Sequence, residues 1–273
     1  MDRRLRAEIR DWVRSWCTVY DLGRRLDRET PHSPVHPGVA VDVLRRHGEV
    51  VRADGGSSAF EALHIGCHTG THVDAPSHIA VGGRLFGGHS VASSETSVGY
   101  DHGGIESVAP IVCEGILLDV ASVLGPSGLS AGDAVTGEML DRAAEAADIV
   151  VPTGCAVLIR LGRETGAFPD LDCLEGESLP VPGIDLSAAE WAIGHGVRVV
   201  GCDTIALEVV PAEGFAAGMP VHNRLLFETG TPILELLNLE ELVQQKVFEF
   251  LFICSPLCVV NASGAPVRPL ALV

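Results

Sequence analysis

The pattern of apolar and polar positions along the chain predicts buried strands that alternate with helices. Three short apolar runs have the length and β-branched content of strands covered on both faces; they are residues 115–121, 155–162 and 197–204. The predicted helices are residues 139–147, capped by Thr136, and residues 188–196, with a capping-box spacing of Ser187 and Glu190 and an end at Gly196. This alternation predicts an α/β sheet with ligand-binding loops at its strand ends.

The first 17 residues have a different pattern, because their apolar positions recur at helical spacing. Leu5, Ile9, Trp12, Val13 and Trp16 form one stripe, which predicts an amphipathic helix that docks on the rest of the chain or at a subunit contact. Residues 18–273 contain no linker or repeat, and with 47% hydrophobic content in 273 residues they are expected to form one domain.

Composition narrows the range of partners. The chain has 19 basic and 36 acidic residues, a formal charge of -17, which opposes binding to nucleic acid or to an anionic membrane surface. No apolar run reaches the roughly 20 residues of a membrane span, and the charged N-terminus lacks a signal-peptide core. The eight scattered cysteines suit free thiols. We therefore expect a cytoplasmic protein that acts on a small molecule.

Residues 68–78, HTGTHVDAPSH, carry the strongest chemical signal. Their even positions hold three imidazoles and a carboxylate, a period of two that predicts an extended chain with these groups on one face. Gly70 and Pro76 disfavour a helix there. Burying such groups without partners is costly, and a bound cation satisfies all of them. Mixed nitrogen and oxygen ligands suit zinc, manganese or iron at a catalytic site.

The same stretch resembles the HxGTHxDxPxH signature of the metal-dependent cyclase family, which includes bacterial kynurenine formamidase and isatin hydrolase. Residues 157–162, 179–208 and 220–242 resemble further segments of that family, so the resemblance runs from about residue 18 to the end. It implies a compact single α/β domain of the swivelling β/β/α type, here with an added N-terminal helix. It also implies assembly as a homodimer or homotetramer.

The resemblance also implies the roles of individual residues. It assigns one or two divalent ions, zinc or manganese, to the ligands His68, His72, Asp74, His222 and Glu235. Asp74 would bridge two ions, and His78 would be the general acid/base. Spacing alone would leave His222 and Glu235 as surface residues. Asp203 is either an orienting partner of the site or a strand-end cap.

The chain departs from the kynurenine formamidases in two places. Their substrate-packing tryptophan falls at His36, within Ser33-Pro34-Val35-His36-Pro37-Gly38, so we expect His36 to contact substrate, with a plain surface loop as the alternative. Residues 93–104 form an extra segment, expected to be a loop or lid. His102 belongs to this segment and His89 lies just before it; both are expected to be ordinary surface histidines or hydrogen-bonded core residues.

The predicted function is metal-dependent hydrolysis of an amide, lactam or formamide bond in a small cyclic or aromatic substrate. A metal-activated water would be the nucleophile, and His78 would pass a proton to the leaving nitrogen. One alternative is a cyclase or dehydratase of secondary metabolism that uses the same site. Another is a metal-binding subunit without turnover, which the extra imidazole of His78 disfavours.

Overall fold

A mixed β-sheet forms the centre of the molecule. The computed structural model describes residues 12, 18–33, 36–125, 128–162, 180–212 and 214–273. Within them the main sheet has nine strands, in the order β1-β15-β13-β7-β9-β11-β12-β4-β14. In chain order the strands are β1 Val19–Asp21, β2 Ala40–Arg45, β3 Phe60–His64, β4 His72–Asp74, β5 Glu95–Thr96, β6 Gly99–Tyr100, β7 Ile111–Asp119, β8 Ala134–Val135, β9 Ala156–Arg160, β10 Gly183–Ile184, β11 Val199–Cys202, β12 Ile233–Glu235, β13 Glu249–Cys254, β14 Gly264–Pro266 and β15 Leu270–Leu272.

Short helices connect these strands. The α-helices are α1 Val91–Ser94, α2 Val120–Leu124, α3 Gly137–Ala146, α4 Leu186–Gly194, α5 Pro220–His222 and α6 Glu240–Gln244, and a π-helix, Asn223–Thr229, continues α5. Among the described residues, four 3-10 turns lie at Pro76–His78, Phe86–Gly88, Ile105–Ser107 and Gly214–Ala217. In the part of the chain described here, no helix is long and apolar enough to cross a membrane.

The sheet has buried side chains on both of its faces. Along β7, Ile116 and Leu118 join a core cluster that includes side chains of α3 and α4, whereas Leu117 between them joins the cluster on the other face. All three are 0% exposed. The continuous apolar runs of the sequence follow from this double burial, because residues 115–119 of β7, 156–159 of β9 and 199–202 of β11 are all buried in the central parallel part of the sheet.

The predicted elements are largely present, with corrections at their ends. Strand β7 starts earlier than predicted, and α2 begins at Val120 inside the predicted strand. Thr136 caps α3 through a bond from the Met139 N–H, and Gly196, with φ of 67°, follows the end of α4 as predicted. The capping box of Ser187 is wrong: Asp185 is the N-cap, because its carboxylate accepts the Ala188 N–H at 3.1 Å.

Two other expectations concern the periphery. The predicted N-terminal helix lies outside the described residues, apart from Trp12. The extra segment, expected to be a loop or lid, has structure of its own, since Glu95–Thr96 pairs with Gly99–Tyr100 as a small antiparallel hairpin. A second hairpin, β2 with β3, forms a separate sheet whose side chains are mostly exposed.

Candidate metal centre and active site

Two neighbouring antiparallel strands bring three of the predicted ligands together. His72 on β4 lies directly opposite Glu235 on β12, and Asp74, two residues further along β4, shares their face. His72 Nε2 is 3.3 Å from Asp74 Oδ1 and 3.4 Å from Glu235 Oε2. The three side chains are buried. Strand register therefore fixes this part of the site.

The fourth ligand comes from a helix. His222 ends α5, and the π-helix follows it directly. Its Nε2 lies 3.3 Å from Glu235 Oε1 and 3.8 Å from Asp74 Oδ2. Sequence spacing alone had suggested a surface position for His222 and Glu235; that interpretation is wrong, because both are buried.

The hydrogen bonds of the two imidazoles leave one nitrogen of each free. His72 Nδ1 lies 2.7 Å from the Gly70 carbonyl oxygen, which can only accept, so Nδ1 carries a hydrogen. His222 Nδ1 lies 2.5 Å from Glu208 Oε1 and donates to it in the same way. The Nε2 atoms of both rings therefore face the carboxylates of Asp74 and Glu235.

This arrangement fits a divalent cation. Ligand atoms about 2.1 Å from one ion lie roughly 3 to 3.5 Å apart, close to the separations among His72, His222, Asp74 and Glu235. Without an ion, protons held by His72 and His222 balance the negative charge of the neighbouring carboxylates. Burial alone would lower the pKa of His72, but Asp74 and Glu235 outweigh it and raise that pKa to about 9. Burial also opposes the charge of His222, but Glu208 and Glu235 raise its pKa to about 10.

A second group of potential ligands shares Asp74. His68, Asp74 and His78 offer ligand atoms within 4.8 Å of one another, as do His72, Asp74 and Glu235. His68 Nδ1 lies 2.6 Å from Asp74 Oδ1, and the rings of His68 and His78 are 4.1 Å apart between centroids. Burial lowers the pKa of His78 to about 3, against the opposite effect of the Asp74 carboxylate. Asp74 is common to both groups, and its role as a bridge between two ions stays a prediction.

The chain is not extended through the whole signature, as the period of two had predicted. Only His72–Asp74 is a strand; Gly70 has φ of 65°, and Pro76–His78 forms a 3-10 turn. His68 and His78 consequently approach Asp74 from turns on either side of β4. Before β4, Thr69 Oγ1 donates to the Pro37 carbonyl at 2.7 Å and Thr71 Oγ1 donates to the Leu236 carbonyl at 2.6 Å. After β4, the Ser77 N–H donates to the Gly103 carbonyl at 2.9 Å.

His36 lies beside the metal centre but outside both ligand groups. Its Nδ1 is 3.2 Å from the His68 carbonyl oxygen, its ring centroid is 5.3 Å from that of His68, and it is half-buried. Burial lowers its pKa. This position is consistent with contact to a substrate at the His68 side of the site, whereas a loop pointing into solvent would leave the ring exposed.

Asp203 proves to be a cap. Its carboxylate accepts the backbone N–H groups of Leu161 and Gly162 at 2.9 and 3.0 Å, which ties the end of β9 to the end of β11. Burial raises its pKa to about 6. Of the two interpretations that the sequence left open, the strand-end cap describes these contacts.

Sequence analysis missed two residues that hold the ligands in place. Glu208 is buried and accepts from His222 Nδ1 and from the His222 N–H, the latter at 3.0 Å. A lone acid in the apolar run around residues 205–210 was the signal for it. Ser263 Oγ lies 2.8 Å from His68 Nε2, and nothing in the sequence pointed to it.

An α/β sheet with a buried set of histidine and carboxylate ligands defines a candidate metalloenzyme. The model of the Cyclase family matches residues 20–209, and the chain belongs to this family. The matched span contains the whole signature of residues 68–78 and ends before His222 and Glu235.

Two curated relatives and one solved structure agree with this assignment. The chain is 26% identical to kynurenine formamidase of Geobacillus thermodenitrificans over 250 residues, 91% of this chain and 94% of that protein. It is 25% identical to isatin hydrolase of Roseibium aggregatum over 226 residues, 81% of this chain and 77% of the relative. A crystal structure described as a novel cyclase shares the fold, with a TM-score of 0.84 at 24% identity over 99% of this chain and 91% of its own. The predictions of an α/β cyclase-family fold and of an enzyme are confirmed.

Proposed function

We propose that this chain is a metal-dependent hydrolase that opens an amide, lactam or formamide bond in a small cyclic or aromatic substrate. The observation that carries the proposal is the convergence of two ligand groups on Asp74, with the free nitrogens of His72 and His222 facing carboxylates. The names of the two relatives, kynurenine formamidase and isatin hydrolase, support the reaction class.

Each ligand has a defined place in the proposed site. His72, His222, Asp74 and Glu235 would hold one ion, and His68 with Asp74 would contribute to a second where two are bound. The donor set suits zinc or manganese. Such an ion, when bound, lowers the pKa of water and polarises a carbonyl oxygen. Low exposure of the ligands keeps bulk water from competing with the substrate.

His78 is the proposed general acid/base. The 3-10 turn that carries it places its imidazole next to His68 and Asp74, and its lowered pKa of about 3 keeps it uncharged near neutral pH. A neutral imidazole can accept a proton from the nucleophile at its free nitrogen. The same nitrogen then returns that proton to the departing nitrogen of the substrate, which prevents loss of an unstable amide anion.

Hydrolysis of N-formylkynurenine, isatin and simple cyclic imides, with zinc or manganese added to chelator-treated protein, tests the proposal. Metal-dependent turnover of at least one of these compounds is expected, and His72→Ala should abolish both turnover and metal binding. His64→Ala is the matched control, since His64 is an exposed histidine on β3 whose partner is Asp42. Equal metal content in wild type and His72→Ala would contradict the assigned site.

We also propose that the chain works as a homodimer or homotetramer, with only a small molecule as its other partner. The β2–β3 hairpin supports self-association, because it exposes apolar side chains such as Val41, Leu44 and Leu63, at 53%, 59% and 56%. Sedimentation equilibrium of the full chain tests this, and a strictly monomeric protein at micromolar concentration would contradict it.

A further inference from the structure

We propose that a second pocket, separate from the metal centre, binds a small organic carboxylate. The cavity has a volume of about 500 Å³, and among the described residues its lining includes Arg198, His89, His102, Phe86, Val108 and Ile111. None of the candidate metal ligands lines it. Pro76 of the signature lines the cavity, but none of the described lining residues is a side chain assigned to the proposed hydrolysis.

The charge of the pocket opposes that of the molecule. The chain as a whole has a formal net charge of -17, yet no aspartate or glutamate is among the described residues that line this cavity. Arg198 is exposed, and within the described parts of the chain its guanidinium has neither a hydrogen bond nor an ion pair. A bond from the Arg198 N–H to the Cys155 carbonyl oxygen, at 2.8 Å, fixes its backbone at the start of β11. A free cation in a concave site is a recognition element for an anion.

Two stacked histidines form another wall of the pocket. The rings of His89 and His102 lie 3.8 Å apart and 27° from parallel. His102 Nδ1 donates to Asp101 Oδ1 at 2.6 Å and lies 3.4 Å from Ser94 Oγ, which holds the ring in place. His102 belongs to the segment predicted to be an addition relative to the formamidases. His89 is exposed and His102 half-buried, and both line the cavity.

The rest of the lining is apolar and shaped by a glycine. Phe86 is 36% exposed at the cavity, beside Val108 and Ile111. Gly230 also lines it, and a Cβ there would lie 2.5 Å from the Phe86 ring, so only glycine lets the ring take this position. An apolar wall next to a few polar donors is typical of pockets that bind small organic molecules.

These features select the class of ligand. The guanidinium of Arg198 matches a single carboxylate, and the apolar wall with the stacked imidazole rings matches a compact ring attached to that carboxylate. A metal site is disfavoured, because His89, His102 and Asp101 do not form one of the three-ligand groups found among the described residues. The inference concerns binding alone, and it holds whatever reaction the metal centre performs.

Titration of the purified full chain with benzoate, followed by calorimetry, tests the inference. Benzoate should bind with a dissociation constant in roughly the millimolar range. Arg198→Ala should weaken it about 10-fold or more, since a hydrogen bond to a charged partner has at least this effect. Arg142→Ala, which removes an exposed arginine of α3 outside the cavity, should leave binding unchanged. Benzyl alcohol, which has the ring without the charge, should bind more weakly than benzoate.

Several results would overturn the inference. Benzoate binding that survives Arg198→Ala and disappears in His72→Ala would place the ligand at the metal centre. Equal affinity for benzyl alcohol and benzoate would show that the pocket does not recognise the carboxylate. Failure of benzoate to saturate below about 20 mM would show that no site of useful affinity exists. None of these measurements depends on turnover, so they are separate from the test of hydrolysis.

Discussion

At the scale of single residues, the chemistry of this site depends on which nitrogen of each imidazole is left free. A main-chain carbonyl holds Nδ1 of His72, and a buried carboxylate holds Nδ1 of His222. These partners fix the tautomer and the ring orientation before any ion binds, and such preorganisation raises metal affinity.

Glu208 is therefore predicted to control metal affinity without touching the ion. Glu208→Gln keeps the shape but removes the charge behind His222, and metal affinity should fall about 10-fold to 100-fold. Competition against a fluorescent chelator measures this. Glu114→Gln, which changes an exposed glutamate on β7, is the control. An unchanged dissociation constant for Glu208→Gln would show that His222 needs no orienting carboxylate.

His78 is predicted to matter for rate more than for metal content. His78→Ala should lower turnover by about 10² to 10⁴ while the ion of His72 and Glu235 remains, because the proton loses its carrier. Metal content and turnover are measured on the same preparations. Because His78 also lies within ligand distance of His68 and Asp74, loss of metal equivalents in the variant would make it a ligand and refute the assigned role.

His36 is predicted to set substrate preference. Its half-buried ring stands beside His68. Because the resemblance aligns this position with a tryptophan of the formamidases, the site is expected to have a hydrogen-bonding group in place of a large stacking plane. N-formylkynurenine should be a poorer substrate than a smaller cyclic amide. His36→Trp should raise kcat/KM for N-formylkynurenine relative to kcat/KM for the cyclic amide. Efficient turnover of N-formylkynurenine by both the wild type and His36→Trp would show that residue 36 does not determine substrate preference.

At the scale of elements, the short strands β4 and β12 need support from outside the sheet. The Leu236 carbonyl, one residue past Glu235, accepts bonds from Thr71 Oγ1 and from Arg24 Nε, and Arg24 also donates to the Asp203 carbonyl. Leu236 has φ of 55°, a conformation that non-glycine residues seldom adopt. These bonds hold the strained turn that aims Glu235 into the site.

The close packing of β14 against the site gives a prediction at this scale. A Cβ added at Gly264 would lie 2.6 Å from His68 Cε1 and 2.7 Å from the Val73 carbonyl oxygen. Gly264→Ala should thus cost about 1 to 3 kcal/mol of stability and also displace His68. Denaturant melts and metal titrations together measure both effects.

Gly115→Ala is the matched control for that variant. Its added Cβ would collide with Phe250 on β13, within the sheet but away from the ligands. It should lower stability while the remaining folded protein binds metal with wild-type affinity. Equal losses of metal affinity in the two variants would show that the effect reflects general destabilisation and that Gly264 has no special link to His68.

At the scale of the whole molecule, the buried ligand cluster links metal binding to folding. Aspartate, glutamate and histidine side chains at 1% to 9% exposure are costly to bury without an ion to balance them. Because the unfolded chain does not preserve this cluster, a metal ion that binds to it would stabilise the folded state.

Added zinc or manganese is accordingly expected to raise the melting temperature. At a free metal concentration about 100-fold above the dissociation constant, the gain should be about 2.7 kcal/mol, or roughly 5 to 10 °C. Differential scanning fluorimetry with and without metal measures it, and His72→Ala should remove most of the shift. A wild-type melting temperature that is independent of metal would contradict binding at this cluster.

The sequence by itself determined which side chains provide the chemistry and where the core lies. Residues 68–78 contain His68, His72, Asp74 and His78 within one short segment, so their proximity follows from covalent connection alone. The apolar runs predicted strands β7, β9 and β11 because burial on both faces leaves no polar alternation. Local patterns and short-range connection are the information that a sequence displays directly.

Only the tertiary structure decided how distant residues meet. Glu235 reaches His72 through strand register, and His222 comes from a helix. Glu208 and Ser263 hold two imidazoles in place; a lone acid in an apolar run was the local signal for Glu208, and nothing in the sequence pointed to Ser263. The extended face predicted for the signature also gave way to turns at both ends. Hydrogen bonds join Thr69 and Thr71 to other segments before β4, and the Ser77 N–H to the Gly103 carbonyl after it. Such contacts depend on the free energy of packing the whole chain, which a short stretch of sequence does not determine.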